Sequence, residues 1–173
     1  IEKQYLFNNV HYLGPYGLIR KTVTLTLSAR AANTHFMRVL WAIMGSNADF
    51  MKNDEIVAVG EMGLDYFRNI SSPKIQKEIF RSQMRIAEDL NMPVIFHNRD
   101  ADKDVLSILK EFPSVTGVAH CFSSIEETAL KFIDLGYYIS FSGNITFKNS
   151  HLPGFAGRLP LDRILVETDC PYL

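Results

Sequence analysis

From about residue 54 onward, the chain alternates short apolar runs with longer amphipathic stretches. The apolar runs read as buried strands and fall at residues 55–60, 93–97, 115–120, 137–142 and 163–167. The amphipathic stretches 73–90, 102–111 and 124–135 carry apolar residues near helical spacing. Because strands and helices alternate, the pattern predicts an α/β fold of parallel βα units. Continuously apolar strands also fit a sheet that is covered on both faces.

Local signals set the ends of the predicted helices. Ser72 followed by Pro73 is typical of a helix start, because Pro lacks an N–H that would have no partner in the first turn. Ser124 and Glu127 have the spacing of a capping box, in which each side chain satisfies the other residue's backbone N–H. Gly136 suits the position just after a helix end. These signals divide the chain into three clear helices between the strands.

The first 50 residues do not follow this rhythm. Residues 22–27 alternate like a strand and residues 36–44 have the character of a helix, but neither pairs with the later pattern. We therefore predict an N-terminal segment over residues 1–50 and a domain of βα units over residues 51–173.

Composition and charge narrow the class of protein. The 173 residues are 47% hydrophobic and 21% charged, with a formal net charge of −1, which excludes a disordered or fibrous chain. A net charge this close to zero does not indicate strong electrostatic attraction to nucleic acid or to a membrane surface. No apolar window is long enough to cross a membrane, and no signal peptide pattern is present. Two cysteines, Cys121 and Cys170, make no disulfide framework, so we expect a reduced, cytoplasmic protein.

Residues of types that bind metals lie at or just after the ends of four of the predicted strands. Glu61 follows the first strand, His97 and His120 end the second and third, and Asp169 comes shortly after the fifth. One such residue alone is more often structural, but in a parallel barrel the carboxyl ends of the strands form the catalytic face. Imidazole and carboxylate bind Zn, Mn and similar ions, and a Glu with two His leaves a position for water. The pattern predicts a hydrolase that uses a metal-activated water.

Longer motifs surround these residues and resemble a known family. They are VAVGEMGLDY at 57–66, PVIFHNRDA at 93–101, HCF at 120–122, YISFSG at 138–143 and LVETDCPYL at 165–173. Over about residues 52–173 the chain resembles the TatD-type metal-dependent deoxyribonucleases of the amidohydrolase-like superfamily. The resemblance implies a TIM-barrel type metal-dependent hydrolase whose substrate is DNA. It also implies up to two divalent metal ions, which would be Zn, Mg or Mn.

The same resemblance implies roles for individual residues. Glu61 would bridge two ions, and His97 and His120 would complete the second site. Asp169 would bind the first ion and help to activate the water, so Glu61 and Asp169 are the catalytic candidates. Arg99 is a candidate substrate contact, because its fork of N–H groups suits phosphate oxygens. The alternative for Arg99 is a salt bridge that holds a loop.

The chain departs from the family pattern at both ends. Family members begin with a His-x-His pair that supplies two ligands of the first metal, and they continue beyond the point that matches Leu173. This chain contains no His-x-His. We therefore expect a truncated or incomplete barrel that binds about one ion. Two alternatives to a deoxyribonuclease stay open: an impaired or inactive family fragment that binds one metal, and an amidohydrolase-type hydrolase of a small substrate. Oligomeric state and the choice between DNA and RNA also stay open.

Overall fold

The computed structural model describes residues 7–13, 19–25 and 58–168, with side chains described for the last of these ranges. The first two are strands, β1 (Phe7–Leu13) and β2 (Ile19–Leu25), which pair antiparallel. The strand predicted at residues 22–27 overlaps β2. The helix predicted at residues 36–44 lies outside the described residues.

Five parallel strands form the sheet of the main domain. In chain order these are β3 (Val59–Asp65), β4 (Val94–Arg99), β5 (Gly117–His120), β6 (Tyr138–Phe141) and β7 (Ile164–Val166). Each strand pairs with the next in the chain, so spatial order equals sequence order. The crossovers contain the helices α1 (Pro73–Asp89), α2 (Asp102–Glu111), α3 (Glu126–Asp134) and the short α4 (Pro153–Ala156). This sequential βα order confirms the predicted α/β class and is the order of a TIM barrel.

The first strand of this sheet differs from its prediction. It was expected to stop before Glu61, but β3 continues to Asp65. The pairing of β3 with β4 shifts by one residue, so that Gly60 and Glu61 together face Ile95. A Cβ atom on Gly60 would lie 2.8 Å from Ile95 Cβ, and only glycine fits there. The bulge thus absorbs one extra residue and lets the strand resume with its polar side chains on the site face.

The predicted capping box at the start of α3 is wrong. Helix α3 begins after Ile125, and no side chain caps it. The Ser124 hydroxyl donates instead to the Asp102 carboxylate at the start of α2, and the Thr128 hydroxyl donates to the same carboxylate at 2.8 Å. Asp102 also accepts a hydrogen bond from the Asn98 amide at 2.6 Å. A long-range acceptor therefore outcompetes the local cap and ties α2 and α3 to the end of β4.

An aromatic cluster packs the helices onto the sheet. Phe96 on β4 is fully buried and meets Phe132 and Tyr137 edge-on, at centroid distances of 5.2 and 5.4 Å. Phe80 of α1 contacts the same ring. Phe122 is 2% exposed and packs against Phe132, so it belongs to the core. This cluster fixes the strand that carries His97. Among the described residues, no helix is long and apolar enough to span a bilayer.

Candidate metal centre

Alternation along β3 directs two carboxylates to one face of the sheet. Met62 and Leu64 are buried in the core, so Glu61, Gly63 and Asp65 lie on the opposite face. Gly63 pairs in register with His97 of β4. Because Gly63 has no side chain, the His97 backbone of β4 can lie close to β3 between the two carboxylates.

The His97 imidazole lies between these two carboxylates. Glu61 Oε1 is 3.7 Å from His97 Nδ1, and Asp65 Oδ2 is 3.3 Å from His97 Nε2. All three side chains are partly exposed. The structure therefore brings two of the predicted ligands, Glu61 and His97, into proximity, and adds Asp65 as a neighbour.

The Nε2 atom of His97 supplies a test of whether a metal fits here. This atom is buried, and no group among the described residues makes a hydrogen bond with it, since Asp65 is near it but badly aligned. A buried nitrogen without a hydrogen-bond partner costs about 1–3 kcal/mol of stability, so its presence calls for an explanation such as a bound ligand. Imidazole and carboxylate donors suit Zn, Mn and similar ions. The residues present therefore fit a divalent metal.

Asp65 both closes a turn and faces the His97 ring. Its Oδ1 accepts the backbone N–H of Arg68 at 2.8 Å, which closes the turn after β3. Its own backbone N–H donates to Gln76 of α1 at 2.9 Å. With these contacts fixed, the other carboxylate oxygen faces His97. Asp65 thus links the loop after β3 directly to the candidate site.

His120 is held by a carboxylate that sequence reasoning did not single out. Glu167, just after β7, lies with Oε2 2.6 Å from His120 Nδ1, while its Oε1 accepts the Cys121 backbone N–H at 2.6 Å. Burial acts to raise the pKa of Glu167, but the hydrogen bond and attraction from His120 and the Cys121 amide outweigh it, and the pKa lies below its usual value. An ionised carboxylate only accepts, so His120 Nδ1 carries the proton. When the ring is neutral, its lone pair is then on Nε2, as a metal ligand requires.

The four predicted ligands are only partly assembled in the described residues. His97 and His120 are register partners on β4 and β5, so their strands lie about 4.8 Å apart. Within residues 58–168, however, no three His, Cys, Asp or Glu side chains are close enough to hold an ion. Asp169 lies outside the described residues. The four-residue ligand set therefore stays a prediction, with the Glu61–His97 pair as its observed part.

Arg99 and Phe67 form a pair that motif reasoning missed. The Arg99 guanidinium lies over the Phe67 ring, with Cζ 3.9 Å from the ring centroid. Arg99 makes no ion pair with any of residues 58–168. No sequence signal marked Phe67 as exposed.

For Glu167, which sequence reasoning also missed, a signal was available, since an acidic residue at the end of a strand predicted to be buried needs a partner.

Replacing Glu167 with glutamine is expected to weaken metal binding by about 10- to 100-fold, because a neutral amide holds the His120 ring and its tautomer less firmly. Titration of the metal-free protein with Zn²⁺ or Mn²⁺ measures this change. Glu127→Gln is the matched control, since Glu127 is an exposed carboxylate that only pairs with Lys131. Equal affinities for the two variants would show that Glu167 does not support a metal ligand.

The family model described as TatD related DNase matches residues 29–173, starting inside the predicted N-terminal segment. The uncharacterized metal-dependent hydrolase YabD of Bacillus subtilis is 47% identical over 124 residues, which cover 70% of this chain and 49% of that protein. The 3'-5' ssDNA/RNA exonuclease TatD of Citrobacter koseri is 38% identical over 126 residues, or 70% of this chain and 48% of that protein. The chain thus spans about half the length of these curated relatives.

Solved structures agree with this assignment. The crystal structure of YJJV, a TatD homolog from Escherichia coli k12, has a TM-score of 0.70 and 30% identity, over 80% of this chain and 52% of that chain. The hydrolase TatD family protein from Entamoeba histolytica has a TM-score of 0.67 and 27% identity, over 80% and 46% of the two chains. With a family model that covers most of its residues and a sequential βα sheet, the chain belongs to the family of TatD-related metal-dependent hydrolases.

Proposed function

We propose that the protein is a deoxyribonuclease that hydrolyses DNA phosphodiesters with a divalent metal ion. The observation that carries the proposal is the buried His97 Nε2 atom, which has no hydrogen-bond partner among the described residues and belongs to a ring that lies between Glu61 and Asp65. Asp65 and His97 lie at or near the carboxyl ends of β3 and β4, where βα barrels carry their chemistry, and Glu61 lies on the same face of β3. A relative named as an exonuclease of single-stranded DNA and RNA supports nucleic acid as the substrate class.

Each residue of the site has a separate task in this proposal. Glu61, His97, His120 and Asp169 would hold the metal. A divalent ion lowers the pKa of a bound water and offsets negative charge on a phosphoryl oxygen. Asp169 would accept the proton of the attacking water, and Glu167 keeps His120 in the ligating tautomer. Arg99 would donate its N–H fork to phosphate oxygens.

A second candidate is a family fragment that binds one ion and does not turn over substrate. The observation in its favour is that this sequence contains no His-x-His pair, the motif that supplies two ligands of the first metal in the family pattern. Both candidates require metal binding, and only the first requires hydrolysis.

Cleavage of an end-labelled single-stranded oligonucleotide by the metal-free protein is expected only after Mg²⁺ or Mn²⁺ is added. A chelator should stop the reaction, and Asp169→Ala should abolish it, because that variant loses both a ligand and a proton acceptor. Gel analysis of products and metal analysis after dialysis are the measurements. Parent-like cleavage by Asp169→Ala would assign the activity to another site. Binding of one ion that His97→Ala removes, without any cleavage, would favour the second candidate.

A further inference from the structure

The loop after β3 exposes an aromatic ring next to the candidate metal centre. Phe67 is 64% exposed, although a ring of this size is usually covered. One face of the ring is occupied by the Arg99 guanidinium, 3.9 Å from the centroid. The ring is therefore held in a defined orientation with its other face open to solvent.

Backbone contacts fix this ring close to the site. The Tyr66 N–H donates to the Arg99 carbonyl at 2.9 Å, so the strand pairing continues to the residue before Phe67. Asp65 closes the following turn through Arg68 and faces His97 with its second oxygen. The aromatic ring and the metal-ligand candidates thus share one rigid connection rather than a long free loop.

Arg99 and His97 lie on the same face of β4. Asn98, between them, is buried on the other side and donates to Asp102. Residues two apart on a strand are separated by about 7 Å, which is the scale of one nucleotide. Because Arg99 makes no ion pair with residues 58–168, its charge is not neutralised there by a carboxylate. A phosphate at His97 and a base on Phe67 are compatible with this spacing.

The neighbouring cleft has the opposite character and does not suit a nucleic acid. It has a volume of about 410 Å³ and is lined by Tyr66 and by three carboxylates, Asp100, Asp102 and Asp104, which outnumber its one lysine, Lys103. Hydrogen bonds from Tyr66 and Lys77 hold the pKa of Asp104 below its usual value, so this carboxyl is ionised at neutral pH. Like charges repel a phosphate chain. The side of the site that carries Arg99 and Phe67 is therefore favoured.

We propose that Phe67, backed by the Arg99 guanidinium, is the platform on which an unpaired base stacks next to the scissile phosphodiester. This inference rests on the proposed nuclease function. It adds to that function a residue that selects single-stranded substrates. Stacking needs an open base face, and a paired base inside a duplex does not offer one. Aromatic platforms accept any base, because every base has a π-face. Phe67 thus positions the substrate, while the metal ligands serve the hydrolysis itself.

Phe67→Ala is expected to raise KM for a short single-stranded oligonucleotide by about 5- to 100-fold, with little change in kcat. Phe67→Tyr should restore the parent KM, since it keeps the ring. Ile70→Ala is the matched control, because Ile70 lies in the same loop and is also 64% exposed. An oligonucleotide with an abasic site at its terminal nucleotide should show less than a twofold difference between Phe67→Ala and the parent.

Binding of the same fluorescent oligonucleotides, followed by anisotropy with Ca²⁺, separates the two proposals. If the parent binds but does not cleave, and Phe67→Ala still weakens binding only when the base is present, the nuclease proposal fails and the platform stands. If the parent cleaves but Phe67→Ala behaves like Ile70→Ala, the platform fails and the nuclease stands. Equal losses on the normal and the abasic strand would also overturn the platform.

Discussion

Glu61→Gln is expected to lower DNA hydrolysis by at least about 10³-fold, which corresponds to about 4 kcal/mol of lost transition-state stabilisation. Glutamine keeps the size of the side chain but removes the negative charge with which a carboxylate binds a divalent ion. The free energy of unfolding should change by no more than about 0.5 kcal/mol, because Glu61 is partly exposed and its closest ionic neighbour in the described residues is His97 at 3.7 Å.

The separation of activity from stability is what makes this variant informative. Without metal, the Glu61 side chain is one-third exposed, and its contact with His97 is long at 3.7 Å, so its charge contributes little to the stability of the fold. A melting temperature close to that of the parent is therefore expected for metal-free Glu61→Gln. Glu78→Gln, at an exposed position of α1, is the control and should keep full activity. Parent-like hydrolysis by Glu61→Gln would remove Glu61 from the site.

The backbone plan of the domain follows from the sequence because it depends on local period and burial. Helix α2 was predicted at residues 102–111 and is observed over the same residues. Helix α1 ends at Asp89 and is followed by Asn91 with φ of 50°, which agrees with the predicted stop there. The five strands were likewise found from their apolar runs. Their sequential order then places the strand ends, and with them Glu61 and His97, on one side of the sheet.

Contacts between residues far apart in the sequence could not be predicted in the same way. The contact of His120 with Glu167 joins residues 47 positions apart, and nothing in the local pattern assigns that carboxylate to that imidazole. The sequence offers the Ser124 hydroxyl a local partner in its own helix, but the partly buried Asp102 carboxylate is a stronger acceptor. Phe67 could not be distinguished from core aromatics such as Phe122, since both follow a strand end. Side-chain partners depend on tertiary geometry, which a one-dimensional pattern does not contain.

Gly63→Ala is expected to destabilise the protein by at least about 3 kcal/mol. Gly63 has φ of +128°, a conformation that residues with a Cβ atom rarely adopt. A Cβ atom there would lie 2.0 Å from the His97 carbonyl oxygen, a backbone atom that cannot rotate away. Relief requires β3 and β4 to separate where their side chains form the site. Urea denaturation of the parent and the variant measures the loss.

Gly154→Ala is the control that isolates the cause. Gly154 lies in α4, and no heavy atom would come within 4 Å of the added Cβ atom. Alanine there should leave stability unchanged or raise it by up to about 1 kcal/mol, because alanine favours helix and restricts the unfolded chain. A parent-like unfolding midpoint for Gly63→Ala would mean that β3 and β4 do not pair in this register.

Stability and metal affinity should fall together in Gly63→Ala, because the carbonyl that the new methyl group strikes belongs to His97 itself. Glu61→Gln, by contrast, should lose affinity and keep stability. Measuring both quantities in both variants therefore distinguishes the loss of a ligand from the displacement of the strand that carries it. If Gly63→Ala unfolds more easily but binds metal as tightly as the parent at low temperature, the His97 ring does not contribute to the ion's coordination, and the ligand set must be drawn from other strand ends.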